Sequence, residues 1–483
     1  MLRSRRPILV LVAAAALLTV ASGTARADEF TAFGPGGRSV SMAGGGAALL
    51  DDTYAIYANP AGMAWGTPSV TVGFLGAMNR LSTRLSPRPS GYDAPDLGAS
   101  SAIIPYRYRI SPRHAESHAP GFAGFTVGGT VSLGLKWLRF GVLAFIPTSG
   151  LGRQFTYYSD EREQYFSNSL HYSIYGERLS SQQTLWAGSI RPLPWLALGG
   201  GMRLVMASQS NNDVLVPSQA DNSVQHMDMR TSTGVDTAPV VSIAARVLEE
   251  RLRGSITWRG RVTSSIRGSN TVQINGFQGT PQFPFSQPMA SVSEHLPHQL
   301  VVATAWAEKH WKATADVTWS QWSSFRSDSD ELAGFHDTFS FALGGEFVLN
   351  KNTLLRTGVG FRPSPVPDQT GRTNYVDNSM WVLGLGSAHQ VAIGDQSLEL
   401  ALYGQLQAAM PRTTTKSFSA NAPNCAPGVK TVCDELPDDT RQPTTGKPMP
   451  EAIGLQTGNP GFPGYSSGGW VAIGGVELTW RYQ

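Results

Sequence analysis

The sequence predicts an all-β fold, an antiparallel transmembrane β-barrel of about 14 strands. Three observations carry that expectation. Apolar and polar residues alternate with period two from about Pro68 to the C-terminus. The gaps between the alternating segments are short and long in turn. Charged residues are only 15% of the chain, against ~25% in soluble domains. A second long apolar run, which a helical membrane protein would show, is absent from the sequence.

The alternation is cleanest from Trp311 to Ser320. Trp311, Ala313, Ala315, Val317 and Trp319 share one face, and Lys312, Thr314, Asp316, Thr318 and Ser320 the other. A strand sorts these residues completely, whereas a helix would scatter them around its axis. Phe339, Phe341, Leu343, Gly345, Phe347 and Leu349 make a second stripe, opposite Ser340, Ala342, Gly344 and Glu346. Leu398, Leu400, Leu402, Gly404 and Leu406 make a third, opposite Glu399, Tyr403, Gln405 and Gln407. The expected strands run 68–80, 123–137, 138–150, 179–193, 195–208, 233–248, 252–268, 298–310, 311–325, 339–350, 353–365, 380–392, 396–410 and 469–482. At roughly 10 to 15 residues each, they reach or exceed the ~9–11 that a tilted strand needs to cross the hydrocarbon layer.

Tight turns are expected near Lys136-Trp137, Pro192 to Pro194, Leu248 to Arg251, Glu308 to His310, Asn350 to Asn352 and Gly394-Asp395. Long stretches rich in Ser, Thr, Asn, Pro and Gly lie between them. That rhythm is the one bacterial barrels use, with short periplasmic turns and longer extracellular loops. Closure leaves no backbone N–H or C=O unpaired toward lipid. In the last strand Val476, Leu478, Trp480 and Tyr482 alternate with Glu477, Thr479, Arg481 and Gln483. Trp195, Trp311 and Trp381, at strand ends, suit an aromatic girdle. A large soluble β-protein would also alternate, but with its apolar face inward and a more charged exterior.

Residues 1–27 read as a signal peptide. Arg3, Arg5 and Arg6 form a basic start, Pro7 to Val20 an apolar run, and Ala25-Arg26-Ala27 a small-x-small cleavage pattern before Asp28. The full chain carries a net charge of +3, but taking the leader's four arginines from the 38 basic residues leaves 34 against 35 acidic ones, or −1. No basic field remains to attract nucleic acid. Cys425 and Cys433 lie close together in one polar loop. In an oxidising compartment a disulfide between them is expected, two free thiols being the alternative.

Residues 28–67 do not alternate and are rich in Gly and Ala: Phe33 to Ser39, Met42 to Ala47, Asp51-Asp52, then Asn59-Pro60-Ala61-Gly62. Such a stretch suits a flexible tail, or compact backbone packed where side chains do not fit. No Gly-Lys-Ser/Thr follows the glycines, so it is not a phosphate loop.

This segment, Leu296-Pro297 with the strand pair carrying Asp316, Trp319, Trp322 and Ser323, and Pro363-Ser364-Pro365-Val366-Pro367-Asp368 with Asp377 downstream occur in that order. Phe145 to Leu151 adds a weaker block. Together they closely resemble the FadL/TodX family of outer-membrane transporters of long-chain fatty acids and other hydrophobic compounds. The resemblance implies a barrel of about 14 strands, spanning residues 68–483, with residues 28–67 folded as a small hatch inside its lumen. It implies that a ligand caught on the extracellular loops enters an inner pocket touching the hatch, with Asn59, Pro60, Ala61 and Gly62 in that region. The ligand would then leave sideways through a kink in the third strand, in the region of Pro147 and Gly150, into the outer leaflet, an ordinary strand end being the alternative reading of Pro147. Outer-membrane lipid and lipopolysaccharide would surround a monomer.

The residues give no sign of an enzyme. The sequence holds no His-Glu-x-x-His. His295 and His298, the nearest loop pair among nine histidines, read as solvated rather than metal-bound. No metal and no cofactor is expected. A general porin or a surface adhesin or structural barrel are the competing readings, and the Gly-rich block favours transport of a hydrophobic small molecule over both.

Overall fold

The structure, a computed structural model, describes residues 29–85, 121–148, 171–172, 183–205, 209–217, 224–233, 236–274, 283–326, 332–369, 375–416 and 464–482. Among these residues fourteen antiparallel strands close into a barrel. They are β1 (Ser69–Asn79), β2 (Phe122–Val131), β3 (Leu138–Pro147), β4 (Gln183–Leu193), β5 (Leu196–Val205), β6 (Asp236–Val247) and β7 (Leu252–Arg259). The ring continues with β8 (Gln299–Ala307), β9 (Trp311–Ser320), β10 (Thr338–Asn350), β11 (Thr353–Arg362), β12 (Met380–Ile393), β13 (Gln396–Thr415) and β14 (Gly464–Arg481). Each pairs with the next, and β14 returns to β1, from Ser69 opposite Arg481 to Asn79 opposite Val471.

The faces sort as the period-two pattern requires. On β10, Phe339, Phe341, Leu343, Phe347 and Leu349 are exposed, whereas Glu346 is only 2% exposed. On β13, Leu400, Leu402 and Leu406 are exposed while Glu399, Tyr403, Gln405 and Gln407 are buried. Apolar side chains thus face outward and polar ones inward, the reverse of a soluble β-protein. Trp195 and Trp311 at the short-turn end and Trp381 at the other are exposed on the outer face, as a girdle requires.

Beyond the barrel, at the end with the long connections, strands Gln209–Pro217, Val224–Thr233, Val262–Ile274 and Phe283–Leu296 form a separate four-stranded sheet. The expected strand 252–268 is therefore two strands. It breaks at Gly260-Arg261, where the Gly260 N–H donates to the Pro239 carbonyl at 2.8 Å. The expected ends of β13 and β14 also fall short, since the pair continues to Thr415 and Gly464 past a register shift between Ala409 and Arg412.

Residues 29–66 hold three short helices, α1 (Glu29–Phe33), α2 (Gly36–Ser41) and α3 (Ala55–Ala58), and a 3-10 turn from Pro60 to Trp65. None is long enough to be stable alone. Contacts with the inward faces of strands on opposite sides of the ring hold them. Gln405 donates its amide to the carbonyls of Phe33 and Val40, at 3.0 and 3.1 Å. Gln407 donates to Ala32 at 2.8 Å. Across the ring, the Ala61 N–H donates to the Ser242 hydroxyl at 2.7 Å. Glycine in the wall makes the close approach possible: a Cβ at Gly358 would stand 2.4 Å from the Met42 carbonyl carbon.

Candidate functional site

The site begins with the loop between α2 and α3. Gly44 and Gly46 take φ of +87° and +92°, a backbone region glycine enters without the Cβ penalty. That turn aims two successive N–H groups at Asp316, on the inward face of β9. One Asp316 oxygen accepts from Gly46 N at 3.0 Å and from the Thr314 hydroxyl at 2.9 Å, and the other from Ala47 N at 2.8 Å. Two blocks distant in sequence, the Gly-rich segment and the Asp316 strand, meet at this carboxylate.

Toward the short-turn end, buried charges tie the segment to the wall. Arg38 pairs with Glu346 and donates to the Leu49 carbonyl at 2.9 Å. Glu346 also accepts from Arg356 at 3.2 Å. Arg356 reaches Glu399 at 3.4 Å, and Glu399 takes Arg481 at 2.7 Å. Asp51 pairs with Arg246 at 3.0 Å. Glu346, Arg356, Glu399, Arg246 and Arg481 all stand within a few residues of the short turns, so a layer of paired charge crosses the lumen there.

Above this layer lies a cavity of about 120 Å³ between the segment and the wall, with Phe30, Phe33, Tyr57, Trp322, Arg259 and Asp316 among its lining. The Tyr57 hydroxyl is 2.7 Å from that of Thr31, and its ring centroid is 5.1 Å from that of Phe30. Phe30 in turn meets Phe145 of β3 edge-on at 6.2 Å. Leu143, Phe145 and Leu185 make an apolar inner wall on β3 and β4, all at most 1% exposed.

Aromatic side chains roof the cavity at the other end. Trp322 lines it and packs against Phe325 at 6.3 Å. Phe325 stacks on Phe335 at 4.3 Å, with Tyr375 edge-on to both. The proline block 363–368 is fixed beside this cluster by Arg412, which donates to the Val366 carbonyl at 2.8 Å and to Asp368 at 2.9 Å. Asp377, downstream, is buried. Burial pushes its carboxyl up to about 6, against the downward pull of Arg362.

The sequence-expected residues fall as follows. Asn59, Pro60, Ala61 and Gly62 are buried, and Ala61 is seated against Ser242 of β6. Their immediate predecessors Tyr57 and Ala58 line the cavity. Pro147 is the last residue of β3, opposite Gly124, two residues past Phe145. Gly150, Cys425, Cys433 and residues 1–28 lie outside the described residues. Phe30, Tyr57 and Arg259 were not singled out by sequence. For Arg259 a signal existed, since Arg253, Ser255, Thr257 and Arg259 alternate with Ile256 and Trp258 and so must face the lumen.

Comparison with known proteins follows this geometry. The family model described as outer membrane protein transport protein (OMPP1/FadL/TodX) matches residues 188–402. The chain is 20% identical over 401 residues to alkane uptake protein A of Marinobacter nauticus, covering 78% of this chain and 82% of the relative. It is 26% identical over 163 residues to the long-chain fatty acid transport protein of Salmonella typhi, covering 29% of this chain and 37% of the relative. Among solved structures, a Pseudomonas aeruginosa FadL homologue shares the fold with a TM-score of 0.58 at 12% identity, over 96% of this chain and all of the other. The 14-strand closed barrel, the relatives and the family match agree, and the chain is similar to the FadL/TodX family of outer membrane transport proteins.

Proposed function

We propose that the chain passes long-chain fatty acids or other hydrophobic small molecules across the Gram-negative outer membrane by passive movement, with residues 29–66 as a hatch in the lumen. One observation carries this reading. A cavity lined by both aromatic and polar side chains touches the segment, and ring contacts run from it through Tyr57 and Phe30 to Phe145 on β3. The paired charges beneath it make the straight route to the periplasm unfavourable. A ligand moving that way would trade apolar contact for buried ion pairs, at ~0.8 kcal/mol for each CH₂ left in polar surroundings.

The alternative is a sideways exit by β3, in the region of Pro147 and Gly150. Proline withholds a ladder donor and glycine weakens pairing, so this is where a wall opens at least cost. The names of the relatives, an alkane uptake protein and a long-chain fatty acid transport protein, support an apolar cargo. A porin would need an open, hydrated lumen, whereas Val40, Met42, Leu49 and Ile56 of the segment are at most 1% exposed.

The test is uptake of radiolabelled hexadecanoate and hexadecane by cells that lack their own transporter and display this barrel. Saturable uptake of either above an empty-vector control is expected. Absence of both, with surface display verified, would contradict the reading.

A further inference from the structure

At the short-turn end, the hairpins that join β2 to β3 and β4 to β5 carry apolar tips. Leu133, Leu135, Trp137, Leu193 and Trp195 are all exposed there, from 42% to 55%. Leu133 and Gly134 take φ of +47° and +81°, and the Leu135 N–H donates to the Ser132 carbonyl at 2.9 Å. A two-residue turn of this kind favours Asn before Gly, and leucine holds a positive φ only against the crowding of its Cβ. An apolar side chain is thus kept at a turn tip where a polar one would fold more easily. On the other half of the ring the turns 308–310, 350–352 and 394–395 bear polar and charged tips, Glu308, Lys309, Asn352 and Asp395 among them.

The cations of the two apolar hairpins lack carboxylate partners among the described residues. Arg139 lies opposite Ser189, and the Arg191 N–H donates to the Trp137 carbonyl at 2.9 Å. The two arginines therefore stand on neighbouring strands beside the turns, where their charges repel. Arg139 donates its Nε to the Gly66 carbonyl at 3.3 Å and its Nη1 to the carbonyls of Leu135 and Leu138 at 3.1 and 3.0 Å. Its Nη2, the Arg191 guanidinium and the Lys136 ammonium have no acceptor among the described residues. Elsewhere at this end the arginines do find carboxylates: Arg246 pairs with Asp51 and Glu250, Arg253 with Glu250, and Arg251 with Glu308. Three such cations beside exposed Leu and Trp have the composition of a surface that lies in a headgroup layer rather than in water.

We propose that this arc of the rim binds the phosphate headgroup of an anionic phospholipid in the periplasmic leaflet. Lys136, Arg191 and the spare Nη2 of Arg139 receive the phosphate, while Leu133, Leu135 and Leu193 meet the first carbons of the acyl chains. Trp137 and Trp195 mark the level of the interface. The lipid also braces the end of the N-terminal segment, because Arg139 holds the Gly66 carbonyl and the Trp65 Nε1–H donates to the Pro194 carbonyl at 3.2 Å. This seat is independent of the cargo that the lumen passes and needs only that the short turns face the periplasm.

The test is native mass spectrometry of the purified full chain in detergent, with dioleoylphosphatidylglycerol and dioleoylphosphatidylcholine offered at equal concentration. The wild-type protein is expected to retain phosphatidylglycerol in preference, by roughly tenfold. Lys136→Gln and Arg191→Gln together should bring the ratio close to one, Arg191→Lys should keep it, and Lys351→Gln on the other half of the rim should leave it unchanged. Equal retention of the two lipids by the wild type, or a preference that survives the double variant, would overturn the site. Binding of polyglutamate to the wild type but not to the double variant, with no preference between the lipids, would assign the arc to a soluble acidic partner and overturn the lipid. Displacement of phosphatidylglycerol by inorganic phosphate alone would reduce the arc to a bare anion site and overturn it likewise. Barrel integrity is read from heat-shifted gel migration. Should the double variant fail it, Arg191→Gln alone decides, and an unchanged ratio there refutes the site.

Discussion

Asp316 gathers two backbone N–H groups and a hydroxyl on one carboxylate, and at the residue scale it is the clearest tether between the N-terminal segment and the wall. Replacing it by alanine leaves buried donors of a Gly-rich turn unsatisfied. With a charged acceptor lost, Asp316→Ala should weaken docking of that turn by about 3 kcal/mol. Hydrogen exchange at the Gly46 and Ala47 amides should then accelerate by two orders of magnitude or so, while strand amides stay protected. Unchanged protection at those two amides would remove Asp316 from this role.

At the scale of elements, the loop from Pro363 to Asn378 makes a prediction in pH. Asp377 has its carboxyl raised from 3.8 to about 6 by burial, so the folded loop holds the proton more tightly than the unfolded chain. Its contribution is fully present below about pH 4 and is lost as pH rises through 6, to a total of at most about 3 kcal/mol. The thermal midpoint in detergent should fall between pH 4 and 7, and Asp377→Asn should flatten that fall. A midpoint equally steep in Asp377→Asn would assign the effect elsewhere.

The elements also show which parts of the fold were legible. All 14 barrel strands lie where the alternation puts them, because lipid on one side and a polar lumen on the other impose period two. Strands 209–217, 224–233 and 283–296 were read as loops. They belong to the separate four-stranded sheet, outside the zone where one face must be apolar, and so carry no such signal. Residues 29–66 were legible only as Gly-rich and non-alternating. Their helices are too short to show a period, and contacts more than 150 residues away, such as Ala61 with Ser242 and Gly37 with Glu477, fix their conformation. For the same reason Phe30 and Tyr57 became site residues only once the segment was seated. Asp316 was legible as part of a block, but not as the acceptor for Gly46 and Ala47.

For the whole molecule, a closed ring removes every strand edge and leaves the lumen as the one space the sequence must fill. The N-terminal segment has polar anchors on the inward faces of β6, β7 and β9 to β14 and apolar contact on β3 and β4. Removing residues 28–66, with leader cleavage preserved, should leave a barrel that still inserts and conducts ions several-fold more freely in planar bilayers. Unaltered conductance would refute the hatch.

The central claim, that cargo passes through the cavity beside this segment, is tested most directly by filling it. Ser340 of β10 lines the cavity, and Ser340→Phe would occupy it without touching the charge layer. Saturable uptake of labelled hexadecanoate by display-matched cells should fall at least several-fold in Ser340→Phe relative to wild type. Uptake equal to wild type, in a variant that is folded and displayed, would mean that cargo takes another path.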